Sequence, residues 1–124
     1  MPFTNAYKQI YLAQATIGEA VTPFNASNAH IGVGDGTTPF DANQTDLQGT
    51  NTLRKGMNPG YPSRTDNQVQ FQSTFTETEA NFAWNEFGVF NAPTGGVMLG
   101  REVVSLGTKA SGTIWRFTVT VNWN

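Results

Sequence analysis

The chain has 124 residues, 13% of them charged, with a formal net charge of -2. That length makes one domain, and the near-neutral balance gives no reason to expect a nucleic-acid or anionic-membrane partner. Nine Phe, three Tyr and three Trp exclude a disordered chain, and the absence of Cys excludes disulfides and thiolate metal sites.

Polarity comes instead from Thr, Asn and Gln, which fill 36 positions and make a surface of neutral hydrogen-bonding groups. Residues 4–17 predict the only helix. Thr4 is placed to cap it, Ala recurs within it, and Gly18 stands where a helix stops. Ala6, Ile10, Ala13 and Ile17 form its apolar stripe, with Tyr7 and Gln14 beside them. Residues 1–18 lack the basic start and continuous apolar stretch of a signal peptide, and no run reaches the roughly 18 to 20 apolar residues of a membrane helix. A soluble protein with no membrane partner is expected.

Val21 to Asn28 is a turn-rich connection. In Ala29 to Gly34, Ala29, Ile31 and Val33 alternate with His30 and two glycines, which is strand spacing. Residues 35–64 read as one long loop. Its part from Asp35 to Ser63 holds three Pro and four Gly, and the one element it has room for is a short strand near Leu53. Further on, Val69, Phe71, Ser73 and Phe75 alternate with Gln68, Gln70, Gln72 and Thr74. Phe82 to Phe90 carries bulky residues on both faces, with Phe82, Trp84 and Phe90 opposed to Phe87 and Val89. Residues 91–96 form a turn, alternation resumes over 97–104, and 109–112 turn again. In the last strand Trp115, Phe117, Val119, Val121 and Trp123 alternate with polar residues, a period of two with no helical reading. The expected fold is mainly β: a single domain over 1–124, with an antiparallel β-sandwich or jelly-roll-like body over 29–124 and one N-terminal α-helix.

Catalytic chemistry is sparse. His30 is the only histidine, so a two-histidine metal site is impossible, and its strand position makes it a surface or interface residue. Gly32, Gly34 and Gly36 lack the Lys-Ser/Thr of a phosphate loop, and no helix pattern follows them. A tight turn at a strand end explains them better. Asp35, Asp41, Asn43 and Asp46 do not match an EF-hand, though an incidental Ca²⁺ site in the loop stays open. Glu77 and Glu79 belong to a solvated turn. Glu86, set among aromatics, reads as a structural carboxylate that closes a loop by accepting hydrogen bonds. No catalytic residue, cofactor or metal is therefore expected. Arg54, Lys55, Tyr61 and Arg64, with Met57, Pro59 and Pro62 among them, are either a mobile solvated loop or a docking surface, and they stand as the possible partner contacts. Trp84, Trp115 and Trp123 are the residues a carbohydrate-binding module would use, but alternation places Trp115 and Trp123 in the core.

Two stretches carry a family likeness. One is Ala29-His-Ile-Gly-Val-Gly-Asp-Gly36 with Leu53-Arg54 downstream. The other is Glu86-Phe-Gly-Val-Phe-Asn-Ala-Pro-Thr-Gly-Gly-Val-Met-Leu-Gly-Arg101 before a long terminal strand. Over residues 4–124 the chain resembles small virion structural proteins of tailed bacteriophages, departing from their pattern in a longer loop between Asp41 and Arg64. The resemblance implies a head decoration (cement) protein on the capsid exterior, made in the host bacterial cytoplasm and bound to the major capsid protein. The alternative is a tail-fibre, collar or baseplate protein. It carries no catalytic motif. Long strands with few charges leave edges that need covering. The resemblance implies that this is done by assembly about a symmetry axis, so a homo-oligomer, a trimer, is expected, with the outer face of Phe82 to Phe90 covered as well.

Overall fold

The computed structural model describes every residue from Met1 to Asn124. It is mainly β, with two antiparallel sheets and one short N-terminal helix. The strands are β1 (His30–Gly34), β2 (Thr52–Gly56), β3 (Ser63–Thr65), β4 (Gln68–Phe75), β5 (Ala83–Phe90), β6 (Met98–Thr108) and β7 (Trp115–Asn122). One sheet has the order β2-β1-β5-β6 and the other β3-β4-β7.

The sheets face each other across a single core that the period-two pattern predicts. Ile31, Val33, Phe87 and Val89 come from the first sheet, and Phe71, Phe75, Val119 and Val121 from the second. Trp84 closes one end of the core and meets Phe75 and Trp115 edge-on at 4.8 and 4.9 Å, an arrangement aromatic rings favour. On the outer face of the β3-β4-β7 sheet, amides and hydroxyls pair across strands. Gln72 Nε2 donates to Thr118 Oγ1 at 3.1 Å and Gln68 Nε2 to Asn122 Oδ1 at 3.2 Å. Neutral cross-strand pairs stand there in place of charges.

The helix differs from its predicted form. Thr4 does cap it: Tyr7 N donates to Thr4 Oγ1 at 3.0 Å, and that hydroxyl donates to Met98 O at 2.6 Å. From Tyr7 to Leu12 the helix is wound as a π-helix, followed by α-helical turns over Ala13–Thr16. The wider turn carries Tyr7 and Tyr11 together onto the body, where they stack with ring centroids 5.5 Å apart and both meet Phe24 edge-on. The stripe read from α-helical spacing stays outside, with Ile10 51% and Ile17 74% exposed. Two aromatic rings bury more area than the Ile and Ala side chains, and they decide the rotation.

The supposed loop over 35–64 is also corrected. It contains β2, the short strand expected near Leu53, and also β3, which its residues do not mark; residues 35–51 and 57–62 are irregular. β2 pairs with β1 from His30–Gly56 to Gly34–Thr52, and β3 pairs with β4. Short, polar strands show little alternation, so their pairing partners define them more than their own residues do.

A stability comparison separates the two readings of the helix. Tyr7→Ala, at a buried position, is expected to lower unfolding free energy by about 3 to 5 kcal/mol in urea titration. Ile17→Ala is expected to change it by less than about 0.5 kcal/mol.

Candidate functional site

Residues 35–51 cross the outer face of the β2-β1-β5-β6 sheet and make a third layer there, fastened to Glu86 of β5. Glu86 is fully buried and accepts from four donors. Gly36 N reaches Oε2 at 2.9 Å, Gly49 N reaches Oε2 at 2.7 Å, Gln48 N reaches Oε1 at 2.8 Å, and Arg101 Nε reaches Oε1 at 2.7 Å. A carboxylate has about four lone-pair sites, so all of them are occupied and none is left to abstract a proton. Arg101, fully buried as well, supplies the compensating charge and donates from Nη1 to Gln44 Oε1 at 3.1 Å. Its Nη2 alone meets no acceptor.

Three strand features bring these groups together. Gly88 lies opposite Arg101 across the β5–β6 pair, so Arg101 shares the face of Glu86. The β5–β6 register shifts between Val89 and Phe90, which turns Leu99 to the core while Met98 joins Leu47 and Phe90 under the third layer. Glycines leave room for that layer. A Cβ on Gly34 would lie 2.5 Å from Glu86 Oε2, and one on Gly32 would lie 2.6 Å from the Phe90 ring. The Gly32-Val-Gly34-Asp-Gly36 run is thus a flat bed for a carboxylate and a crossing chain, more than a tight turn.

Other bonds hold the layer's ends. Asn51 donates to both carboxylate oxygens of Asp35, at 3.1 Å from its backbone and 2.8 Å from its amide, and the side-chain bond first, then the backbone bond, hold the Asp35 carboxyl below the usual carboxylate range. Asn5 N donates to Ala42 O at 2.8 Å, tying the layer to the helix.

The four expected partner contacts do not form one surface. Arg54 lies on β2 with its guanidinium 3.5 Å from the centroid of Phe90. It donates to Ala92 O at 2.9 Å, Gly95 O at 3.0 Å and Asp46 Oδ1 at 3.2 Å. It clamps the turn after β5 and is not a mobile contact. Lys55, also on β2, donates to both carboxylate oxygens of Glu79, at 2.9 and 2.8 Å. Tyr61 is half-buried and its hydroxyl accepts from Gln72. Arg64 alone is exposed, and it donates to the nearby Asp66 O at 3.0 Å. The outer face of β5 is covered by the chain's own residues 35–51, not by a neighbouring subunit as expected.

The remaining candidates are scattered. His30 opens β1, and its Nδ1 lies 2.8 Å from Asn28 O. No three His, Asp or Glu side chains are grouped as a metal site would require. Asp41 accepts from Asn43 N, and Asp46 from Leu47 N and Arg54. Trp84 is buried with its indole N–H on Ala80 O at 3.0 Å, while Trp115 and Trp123 are half-buried at the sandwich margin. Two buried cations escaped the sequence reading. Arg101 was signalled only by a charge in phase with Val97, Leu99 and Val103. Lys109 bonds Thr76 O at 2.6 Å and Asn81 Oδ1 at 2.8 Å, and nothing in its turn marked it.

Breaking a buried ion pair leaves a charge uncompensated, so Glu86→Gln is expected to cost about 3 to 5 kcal/mol in denaturant unfolding. Glu79→Gln, which breaks a partly exposed pair, is expected to cost less than about 1 kcal/mol at neutral pH. Hydrogen bonds from Lys55, then from the Thr76 backbone, hold Glu79 at a pKa of about 2, below its ordinary 4.5. A carboxyl with a depressed folded pKa contributes stability above its unfolded pKa and loses it as pH falls through the folded one. The Tm of the native chain should therefore decline between pH 4.5 and about 2, and Glu79→Gln should flatten part of that decline.

No protein-family model matches the chain, and neither the curated proteins nor the solved structures contain a match to it.

Proposed function

We propose that this chain is a non-catalytic structural protein of a tailed-bacteriophage particle, serving there as a decoration protein bound to the major capsid protein on the outer head shell. The observation that carries this reading is a convergence. Gly32, Gly34, Arg54, Glu86, Gly88 and Arg101 lie in the two stretches that resemble small virion proteins. They all meet on one sheet face, where they fasten residues 35–51 or clamp the turn after β5. The residues of the two stretches then form a single framework beneath a polar outer layer. Support also comes from a Glu86 carboxylate with no acceptor site left and from a surface rich in neutral amides and hydroxyls.

The mechanism is adhesion. At about 25 cal/mol per Å² of apolar surface removed from water, a modest contact repeated over a shell resists its expansion. Arg54 and Lys55 are engaged within the chain, so the contact passes to exposed groups: Ile10 and Ile17 on the helix, and Arg64 on β3.

Copy number tests position in the particle. Quantitative mass analysis of virions is expected to find on the order of hundreds of copies, as shell symmetry demands. A dozen or fewer would move the protein to a tail fibre, collar or baseplate. Absence from purified particles would end the virion reading. With Ile10→Asp and Ile17→Asp together, binding to undecorated heads should weaken at least tenfold, about 1.4 kcal/mol, with Tm unchanged.

A further inference from the structure

Four sheet edges face solvent, and three carry a device against the addition of another strand. β2 is five residues long and bears Arg54 and Lys55. β3 is three residues long and bears Arg64. β6 is bridged along its first half by the N-terminal segment, through Thr4 N to Leu99 O at 3.1 Å and Arg101 N to Pro2 O at 3.3 Å. Its second half is irregular, with a register shift opposite Trp84 to Glu86.

The outer edge of β7 is neither short, nor covered by another segment, nor irregular. No strand pairs with it. Its register with β4 runs unbroken from Phe75–Trp115 to Gln68–Asn122. It contains no Pro, no Gly and one charge, Arg116. Apolar side chains beside it are only partly covered: Trp115, Phe117 and Trp123 are half-buried, Ile114 is 58% exposed and Leu106 37%. Leu106, Ile114, Trp115 and Phe117 line an open groove of about 310 Å³ at one end of the strand. Trp123 lines another of about 240 Å³ at the other end, with Tyr7, Tyr11 and Phe24.

We propose that this edge pairs with β7 of a second copy, antiparallel about a twofold axis, so that two three-stranded sheets become one of six strands. Apolar residues must stay on the inner face of the joined sheet, because a slip of one residue would set them against the outer threonines. The register that meets this condition along the full strand has Val119 on the axis. Trp115 then faces Trp123 of the second copy, Phe117 faces its Val121, Thr118 faces its Thr120, and Arg116 faces its Asn122. No like charges meet, and the groove at Trp115 meets the groove at Trp123.

The area agrees with a second copy as occupant. A margin about 30 Å long and about 20 Å deep across both sheets buries roughly 1,200 Å² in total, the lower end of what a specific interface needs. A contact of this kind joins identical surfaces and closes at two copies, which replaces the trimer expected from sequence by a dimer. The pairing stands independently of where the protein works.

Sedimentation equilibrium from about 1 to about 100 µM chain tests it. The native chain is expected to approach the mass of two chains. Thr118→Lys with Thr120→Lys, both exposed, sets like charges opposite each other across the axis. Dimerisation should weaken at least tenfold with an unchanged circular dichroism spectrum. Thr118→Glu with Thr120→Lys sets opposite charges across the same axis and should restore the dimer. A native chain that stays monomeric throughout, or a dimer that persists in the double-lysine variant, overturns the proposal. So does a charge-paired variant that is as monomeric as the double-lysine one.

Discussion

The carboxylate of Glu86 lies on the outer face of a sheet that has a hydrophobic core on its other side, and the segment that shields it from water is the segment it holds. Removing such a charge from solvent costs several kcal/mol unless every lone pair finds a donor and a counter-charge stands close by. Here three backbone amides and one guanidinium meet that demand together. The layer and the ion pair are therefore mutually dependent. Without residues 35–51 the carboxylate would be solvated, and without the carboxylate three backbone amides would lose their acceptor, the one at Gly36 at a buried position.

Much of the chain's composition follows from that arrangement. Gly32 and Gly34 are small because Phe90 and the Glu86 carboxylate occupy the space a side chain would need. Gly88 stands opposite the Arg101 whose side chain lies across the face. Arg54 packs on the ring of Phe90 and anchors the turn after β5, which fixes the second edge of the same face. The sheet is covered on both sides, which explains bulky residues on both faces of β5 without a neighbouring subunit. The sandwich core beneath is ordinary by comparison, with period-two strands packing face to face.

The parts legible in the sequence were those where a regular period meets a large buried area. β4 and β7 alternate strictly, and their inner residues Phe71, Phe75, Val119 and Val121 are core. Glu86 stood out because a charge among aromatics has few explanations. The helix was legible as a helix but not in its rotation, since a π-turn changes which residues share a face and aromatic burial outweighs an Ile and Ala stripe. β2 was legible only as a short strand near Leu53, and β3 was hidden, because their residues are polar and short in run. Their strand character comes from partners, β1 and β4, far along the chain. The roles of Gly36, Gln48 and Gly49 were invisible for a plainer reason: they act through backbone amides, which every residue has.

One face of the protein is thus closed by its own chain, while the margin along β7 and the helix stripe of Ile10 and Ile17 remain open. The proposed assembly with other proteins would run through these uncovered surfaces. The buried Glu86–Arg101 pair requires the third layer to be a stable part of the fold. The most direct measurement is amide hydrogen exchange of the native chain at Gly36, Gln48 and Gly49, set against the paired amides of β1 and β5. The three amides should exchange as slowly as those strands, opening only with global unfolding. Exchange at the rate of an open loop, with the strands still protected, would contradict it.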